Sequence, residues 1–329
     1  MERVQSLASA NLKELPQKFI RPTHERPENT IPLEGIQLPV ISLDESEDVL
    51  VEKLKHVCSE WGFFYLTDHK IPSTLLQGLQ EVGQQFFQQP QKEKEIYSNN
   101  PAAGKYEGYG TKMTTNLDEK VEWIDYFFHR IAPIPAVNYD FWPKQPSSYR
   151  RITEEYAKEI VRIASDIMRF LSTALGLKED AVKSNLGGDN VEFEMKINMY
   201  PPCPQPQLVL GVEPHTDMSA LTILASNGVS GLHIWKDENW IAVDHVPNAL
   251  IVHIGDQLEI LSNGRFKSVL HRSVVSKEKM RMSWAVFVAP PHEQVIGPLP
   301  ELIQEKFPSK YAAKTYAEYR HRKFNNLPQ

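Results

Sequence analysis

Cysteine is nearly missing from this chain, with only Cys58 and Cys203 among 329 residues. Two cysteines so far apart make no disulfide framework, so stability must come from a buried core, and a reducing cytoplasmic setting is expected. No apolar run reaches about 18 residues, which excludes a conventional membrane-spanning helix. The opening MERVQSLASANLKELPQ is charged and has no secretory apolar stretch. Positive charge is also short. A formal net charge of −6 offers phosphate backbones no general attraction, so nucleic acid is not an expected partner. Internal repeats and low-complexity tracts are absent.

What remains is an ordinary globular composition, 41 % hydrophobic and 24 % charged, long enough for one large domain or two of usual size. Residues 1–36 read as a polar, proline-bearing arm with a short helix around Leu12 to Phe19. Val40 to Leu43 and Phe63 to Leu66 read as strands. Leu50, Leu54, Val57 and Trp61, then Leu75, Leu76, Leu79, Val82 and Phe86, recur at helical spacing. GKYEGYGTKM has glycines too frequent for a helix and reads as a loop or flap. Tyr149 to Leu175 is the clearest helix, stopped by Gly176. From Phe193 to about Ala289 come short strands punctuated by Pro, Gly and Asn, the mark of a barrel or sandwich, with Asn263 and Gly264 suited to a hairpin. A helical Tyr311 to Arg322 closes the chain. The expected organisation is a helical and mixed part over 1–190, a β core over 191–295 and a helical tail over 296–329, joined as one catalytic unit.

Chemistry concentrates between Glu213 and Ser283. His215 and Asp217 stand two apart just before the β-branched run Leu221 to Leu224, and His271 ends a second strand-like run that begins at Phe266. With eleven histidines in the chain, a lone His-x-Asp is weak evidence. Residues two apart on extended chain point the same way, however, so His215 and Asp217 can grip one ion while His271 reaches it from a neighbouring strand. Two imidazoles and one carboxylate leave coordination positions open, which suits non-haem Fe(II) and dioxygen better than a closed zinc site. In RMSWAVFVA the residues Arg281, Ser283, Ala285, Phe287 and Ala289 share one face. An arginine on such a face needs an anion, and Arg281 with Ser283 beside it can fork onto a small dicarboxylate.

FEMKINMY alternates Phe193, Met195, Ile197 and Met199 with Glu194, Lys196, Asn198 and Tyr200, a polar face that could be solvated or could line a cavity. Tyr126, Phe128 and Phe287 read as core. His233, His245 and His253 read as structural histidines, Cys203 as part of a rigid PPCP turn, and Gly255 with Asp256 as a turn without any dinucleotide fingerprint.

Taken together, His215-x-Asp217, His271, Arg281-x-Ser283 and NMYPPCP resemble the plant 2-oxoglutarate- and Fe(II)-dependent dioxygenases. The likeness runs from PVISLD and WGFFYLTDHKIP to KFNNLPQ. Through EGYGTK, DYFFHR, HIGDQLEILSNG and RMSW it is greatest toward the flavonol synthase and anthocyanidin synthase branch. The resemblance implies a mainly β fold with flanking helices, a double-stranded β-helix or jelly roll. It implies Fe(II) on His215, Asp217 and His271, and 2-oxoglutarate on Arg281, Ser283, Tyr200 and Asn198, with ascorbate as an auxiliary. Lys196, Tyr126, Phe128 and Phe287 would then meet a flat aromatic substrate, a dihydroflavonol-type flavonoid that is desaturated or hydroxylated. The chain is expected to act as a monomer on a small molecule and dioxygen.

The chain departs from that branch at Ala289 and Ala285, where a glutamate and a proline are usual, at Tyr126 in place of a histidine, and at DHK in place of NHG. Alternatives are the same chemistry on an alkaloid, terpenoid, phenolic or hormone, an ascorbate-dependent oxidase resembling aminocyclopropane-carboxylate oxidase, and a non-catalytic jelly-roll binding protein.

Overall fold

In the computed structural model, residues 2–10, 12, 14–111 and 121–329 are described. Lys112 to Met113, the end of the glycine-rich stretch read as a flap, lies outside them. Twelve strands build two sheets. They are β1 Val40–Ser42, β2 Phe63–Thr67, β3 Gly108–Gly110, β4 Asp125–Ala132, β5 Glu192–Tyr200, β6 Val212–His215, β7 Leu221–Ser226, β8 Leu232–Lys236, β9 Asn239–Val243, β10 Leu250–Ile254, β11 His271–Ser273 and β12 Arg281–Ala289. The larger sheet runs β1-β2-β10-β7-β12-β5-β4-β3, and the smaller runs β6-β11-β8-β9. The helices are α1 Val4–Ser9, α2 Glu47–Glu60, α3 Ser73–Gln88, α4 Gln91–Glu95, α5 Tyr149–Ala174, α6 Ala181–Asn185, α7 Asp256–Leu261 and α8 Tyr316–Phe324.

Strand parity sorts the side chains between two cores. Phe64 and Leu66, Met195, Ile197 and Met199, Val252, Trp284 and Val286 face Leu54, Phe86, Ile160, Ile163 and Leu171 of α2, α3 and α5. The alternate residues Phe63, Tyr65, Leu224, Ile251 and Ala285 pack against Leu232, Ile234, Ile241 and Val243 of the smaller sheet. Two sheets packed face to face with helices behind the larger one make a jelly roll, as expected. At roughly 25 cal/mol per Å², each fully buried Leu, Ile or Phe contributes about 1.5–3 kcal/mol. The long α5 holds one such stripe from Tyr149 to Leu171.

Five local expectations differ. The first helix lies earlier, at Val4–Ser9, because Val4 and Leu7 pack with Phe19, Trp123 and Val209, while Pro16 confines the later segment to one 3-10 turn. Residues 108–110 form an edge strand paired with Tyr126 to Phe128 rather than a loop. Gly110 is required there for close approach, since a Cβ would lie 2.6 Å from the Tyr126 ring. Gly255 and Asp256 open α7 instead of a bare turn, and Asn263 and Gly264 end that helix rather than a hairpin, the Gly264 N–H reaching Glu259 O at 2.8 Å. The terminal helix is Tyr316–Phe324, a few residues later than its sequence pattern suggests.

Candidate active site

His271 on β11 stands directly opposite His215 at the end of β6, with their ring centroids 4.2 Å apart. Each Nδ1–H donates to a backbone carbonyl two residues back, Glu213 O at 2.8 Å and Val269 O at 3.0 Å. Those bonds fix the tautomers and leave both Nε2 lone pairs free, the state a metal-binding imidazole needs. The two Nε2 atoms are 3.6 and 3.8 Å from one oxygen of Asp217, and all three donor atoms lie within 4.8 Å of one another. Two imidazoles and one carboxylate supply three donors and leave the remaining coordination positions of a metal to other ligands, which fits an open-faced Fe(II) site.

The far oxygen of Asp217 is held by one group, and approached by a second, that sequence reasoning missed. Thr222 Oγ1–H donates to it at 2.6 Å, and His253 Nδ1 is 3.6 Å away. Thr222 and His253 are cross-strand partners on β7 and β10, which places both beneath the carboxylate. Thr222 follows Asp217 by five residues in the same motif, and His253 opens the HIGDQ segment; only strand pairing could have joined them. Gly255 closes the turn below, because a Cβ there would lie 2.2 Å from Ser219 O.

The charges diverge within this cluster. Burial opposes ionisation of Asp217, yet His271, His215 and His253 around it hold the carboxyl well below the usual range. Burial, reinforced by His215, drives His271 well down, whereas for His215 the desolvation is outweighed by Asp217 and the ring is raised.

Along β12 and β5 the inward residues form a ladder. Arg281 pairs with Tyr200, Ser283 with Asn198, Ala285 with Lys196, Phe287 with Glu194 and Ala289 with Glu192. Arg281 is 2 % exposed, its Cζ is 4.9 Å from the Tyr200 ring centroid, and Nε and Nη1 have no partner. Among the described residues no carboxylate lies within 4.0 Å of it. A buried guanidinium with free donors is an anion receptor by chemistry. Asn198 Nδ2–H donates to Ser283 Oγ at 3.2 Å, leaving Asn198 Oδ1 without a partner.

On β4, Tyr126 pairs with Asn198 and Phe128 with Lys196. Lys196 Nζ lies 4.6 Å from the Tyr126 ring centroid, and burial lowers its pKa. Phe128 stands opposite this lysine on β4, while on β12 Ala285 is its partner and Phe287 lies one inward position further along, opposite Glu194. Tyr126 is 1 % exposed and its hydroxyl accepts from Asn99 Nδ2 at 2.8 Å, so it is largely built into the wall.

A family model of the 2OG-Fe(II) oxygenase superfamily matches residues 192–290, and one of the non-haem dioxygenase in morphine synthesis N-terminal region matches residues 38–145. Flavonol synthase 1 of Crocosmia x crocosmiiflora is 47 % identical over 100 % of this chain and 99 % of its own. Leucoanthocyanidin dioxygenase of Malus domestica is 42 % identical over 96 % of this chain and 93 % of its own. Among solved structures, JOX2 in complex with 2OG, Fe and JA is 39 % identical and superposes with a TM-score of 0.92, covering 100 % of this chain and 95 % of that one.

Proposed function

Because the chain belongs to the 2-oxoglutarate- and Fe(II)-dependent oxygenase superfamily, we propose that it oxidises a dihydroflavonol-type flavonoid, with His215, Asp217 and His271 holding the iron. The observation that carries this assignment is that donor set at the edge of the smaller sheet together with the buried Arg281 on the larger sheet, whose Nε and Nη1 have no partner. Arg281 would fork onto the distal carboxylate of 2-oxoglutarate, assisted by Ser283 and Tyr200, with Asn198 Oδ1 and Nδ2 orienting the group between them. Bound iron supplies dioxygen activation and the oxidising power; the protein supplies position and a dry cavity. Thr222 and His253 keep Asp217 turned toward the two imidazoles. Lys196, Phe128 and Phe287, with Tyr126 behind them, would receive the organic substrate.

Support for the flavonoid comes from relatives named flavonol synthase and leucoanthocyanidin dioxygenase that match along nearly the whole chain. A second reading has support too. The likeness to JOX2, solved with JA, favours the same chemistry on a different scaffold. We also place the enzyme in the cytoplasm as a monomer. For the location, the support is that no helix among the described residues is long and apolar enough to cross a membrane and that both cysteines are buried and free.

The test is incubation with Fe(II), ascorbate, 2-oxoglutarate and a panel of dihydroflavonols, flavanones and unrelated scaffolds. Desaturation consumes two substrate hydrogens with one dioxygen and one 2-oxoglutarate, yielding succinate, carbon dioxide and water. Succinate formed together with a two-hydrogen mass loss from a dihydroflavonol is the expected result. Coupling to another scaffold only would overturn the substrate and keep the chemistry.

A further inference from the structure

We infer that Glu194 and the cavity beside it form an outer subsite that accepts a hydrogen bond from a phenolic hydroxyl at the far end of the substrate. This rests on the flavonoid reading and specifies which end of the molecule is recognised, and by what.

A cavity of about 140 Å³ is lined by Tyr106, Phe128 and Phe141 as aromatic walls and by Glu107, Glu194, His292 and Arg320 as polar groups. Phe128 and Glu194 belong to the same inward face as Lys196. The cavity therefore continues the inner slot along β5. Two residues of strand separate Lys196 from Glu194, about 7 Å at the usual rise. One end of the slot thus carries a buried ammonium donor and the other a carboxylate acceptor, with aromatic rings between. That is the complement of a flat molecule with an acceptor inward and a donor outward.

Glu194 is the acceptor left free. Glu107 accepts the Arg130 backbone N–H at 2.9 Å, and Glu192 accepts from Arg130 Nη2 at 2.8 Å. Among the described residues Glu194 has only the same guanidinium, at 3.9 Å, although its side chain is 13 % exposed. Across the ladder from it stand Phe287 and Arg130, and Ala289 opposite Glu192 adds no bulk. Arg320, on α8, donates to His292 Nε2 at 3.1 Å and closes the outer side.

Charge balance decides which donor fits. Glu107, Glu192 and Glu194 are matched by Arg130, Lys196 and Arg320, so the slot is already neutral. An ammonium-bearing ligand would add a fourth cation, whereas a neutral hydroxyl satisfies Glu194 without disturbing the balance. A hydrogen bond to an ionised acceptor changes binding by about 10- to 100-fold.

The experiment measures equilibrium binding to the full-length protein with Co(II) and 2-oxoglutarate added. Two probes are compared, a dihydroflavonol hydroxylated on both ring systems and its analogue lacking the hydroxyls of one terminal ring, with a benzylic amine of similar size, protonated at neutral pH, as a third. Wild type is expected to prefer the hydroxylated probe by about tenfold or more, Glu194→Leu to lose most of that preference, and Glu194→Gln, which keeps a carbonyl acceptor, to retain part of it. Thermal denaturation checks that each variant is folded. In turnover the change is expected in KM more than in kcat. Equal affinity for both dihydroflavonols in wild type, a preference untouched in Glu194→Leu, or tighter binding of the amine would each overturn the subsite. If the preference holds but no dihydroflavonol drives succinate formation, the flavonoid reading falls and the hydroxyl-binding subsite stands.

Discussion

Arg281 shows how far a single side chain can carry an argument. Its face was legible from alternation in RMSWAVFVA alone, and its need for an anion follows from the cost of an uncompensated buried charge. Its surroundings were not legible from that alternation; Tyr200 and Asn198 were expected beside it only through the family resemblance, because they reach it by antiparallel register between β5 and β12. Replacing Arg281 with Ala is expected to weaken 2-oxoglutarate binding by about 3–5 kcal/mol, roughly two to three and a half powers of ten, measured by equilibrium titration with Co(II) in place of iron. Arg281→Lys should recover little, since a point charge cannot make the planar two-pronged contact. Unchanged affinity in either variant would remove the arginine from the cosubstrate site. His253 marks the opposite limit. As a lone histidine on a strand it reads as structural, and only the pairing of His253 with Thr222 places it against Asp217.

At the scale of elements, the informative case is α8. The sequence shows a helix of mixed polarity near the chain end and nothing about where it lands. In the fold its Lys323 Nζ donates to Thr216 O at 3.0 Å and also reaches Asp256, while Tyr319 OH donates to Asp256 Oδ2 at 2.8 Å. The Asp256 N–H in turn donates to Asp217 O at 2.9 Å. Thr216 lies between His215 and Asp217, so α7 and α8 together brace the bend that turns both side chains the same way. Groups that orient metal-binding residues commonly change metal affinity by 10- to 100-fold when removed. Lys323→Met is therefore expected to weaken Co(II) binding by about tenfold, followed through the visible absorption of the ion, and Lys323→Arg to restore part of it. A lowered melting temperature with unaltered Co(II) affinity would show that the helix only stabilises the fold. The glycine-rich segment teaches the converse lesson. Glycines at 108 and 110 suggest a loop by composition, yet the strand needs them because Tyr126 and the backbone at Tyr97 come too close for any side chain.

For the whole molecule, helix periodicity marked α2, α3 and α5 and strand punctuation marked the β-rich stretch from Phe193, but β1 to β4, all before residue 190, complete the larger sheet, so a division of the chain near 190 does not coincide with the layers. The order of strands was beyond such patterns, because β2 and β10 or β12 and β5 are neighbours that lie far apart in sequence. That long-range closure makes buried titratable groups far from the site count toward the stability of the entire fold. His129 on β4 is fully buried, its Nε2 2.7 Å from Tyr149 OH on α5 and its Nδ1 3.2 Å from Arg130 O. Burial lowers its pKa to about 3, and burial with Arg272 and Arg281 nearby lowers that of His233 to about 4. Both rings are therefore neutral in the native state at pH values where an unfolded histidine, near 6.5, binds a proton. The sign follows directly. Above pH 6.5 neither state is protonated and the contribution is constant; below it the unfolded chain takes up protons that the folded chain refuses, so stability falls as pH drops. Each such histidine removes about 1.4 kcal/mol per pH unit until its folded pKa is approached. The melting temperature is expected to fall steadily between pH 6.5 and 4.5, and the His129→Phe variant to show a shallower acid slope whatever its stability at pH 7.5. Identical slopes for variant and wild type would mean that the ring is protonated in the native fold, and that its bond to Tyr149 is made by the charged imidazolium.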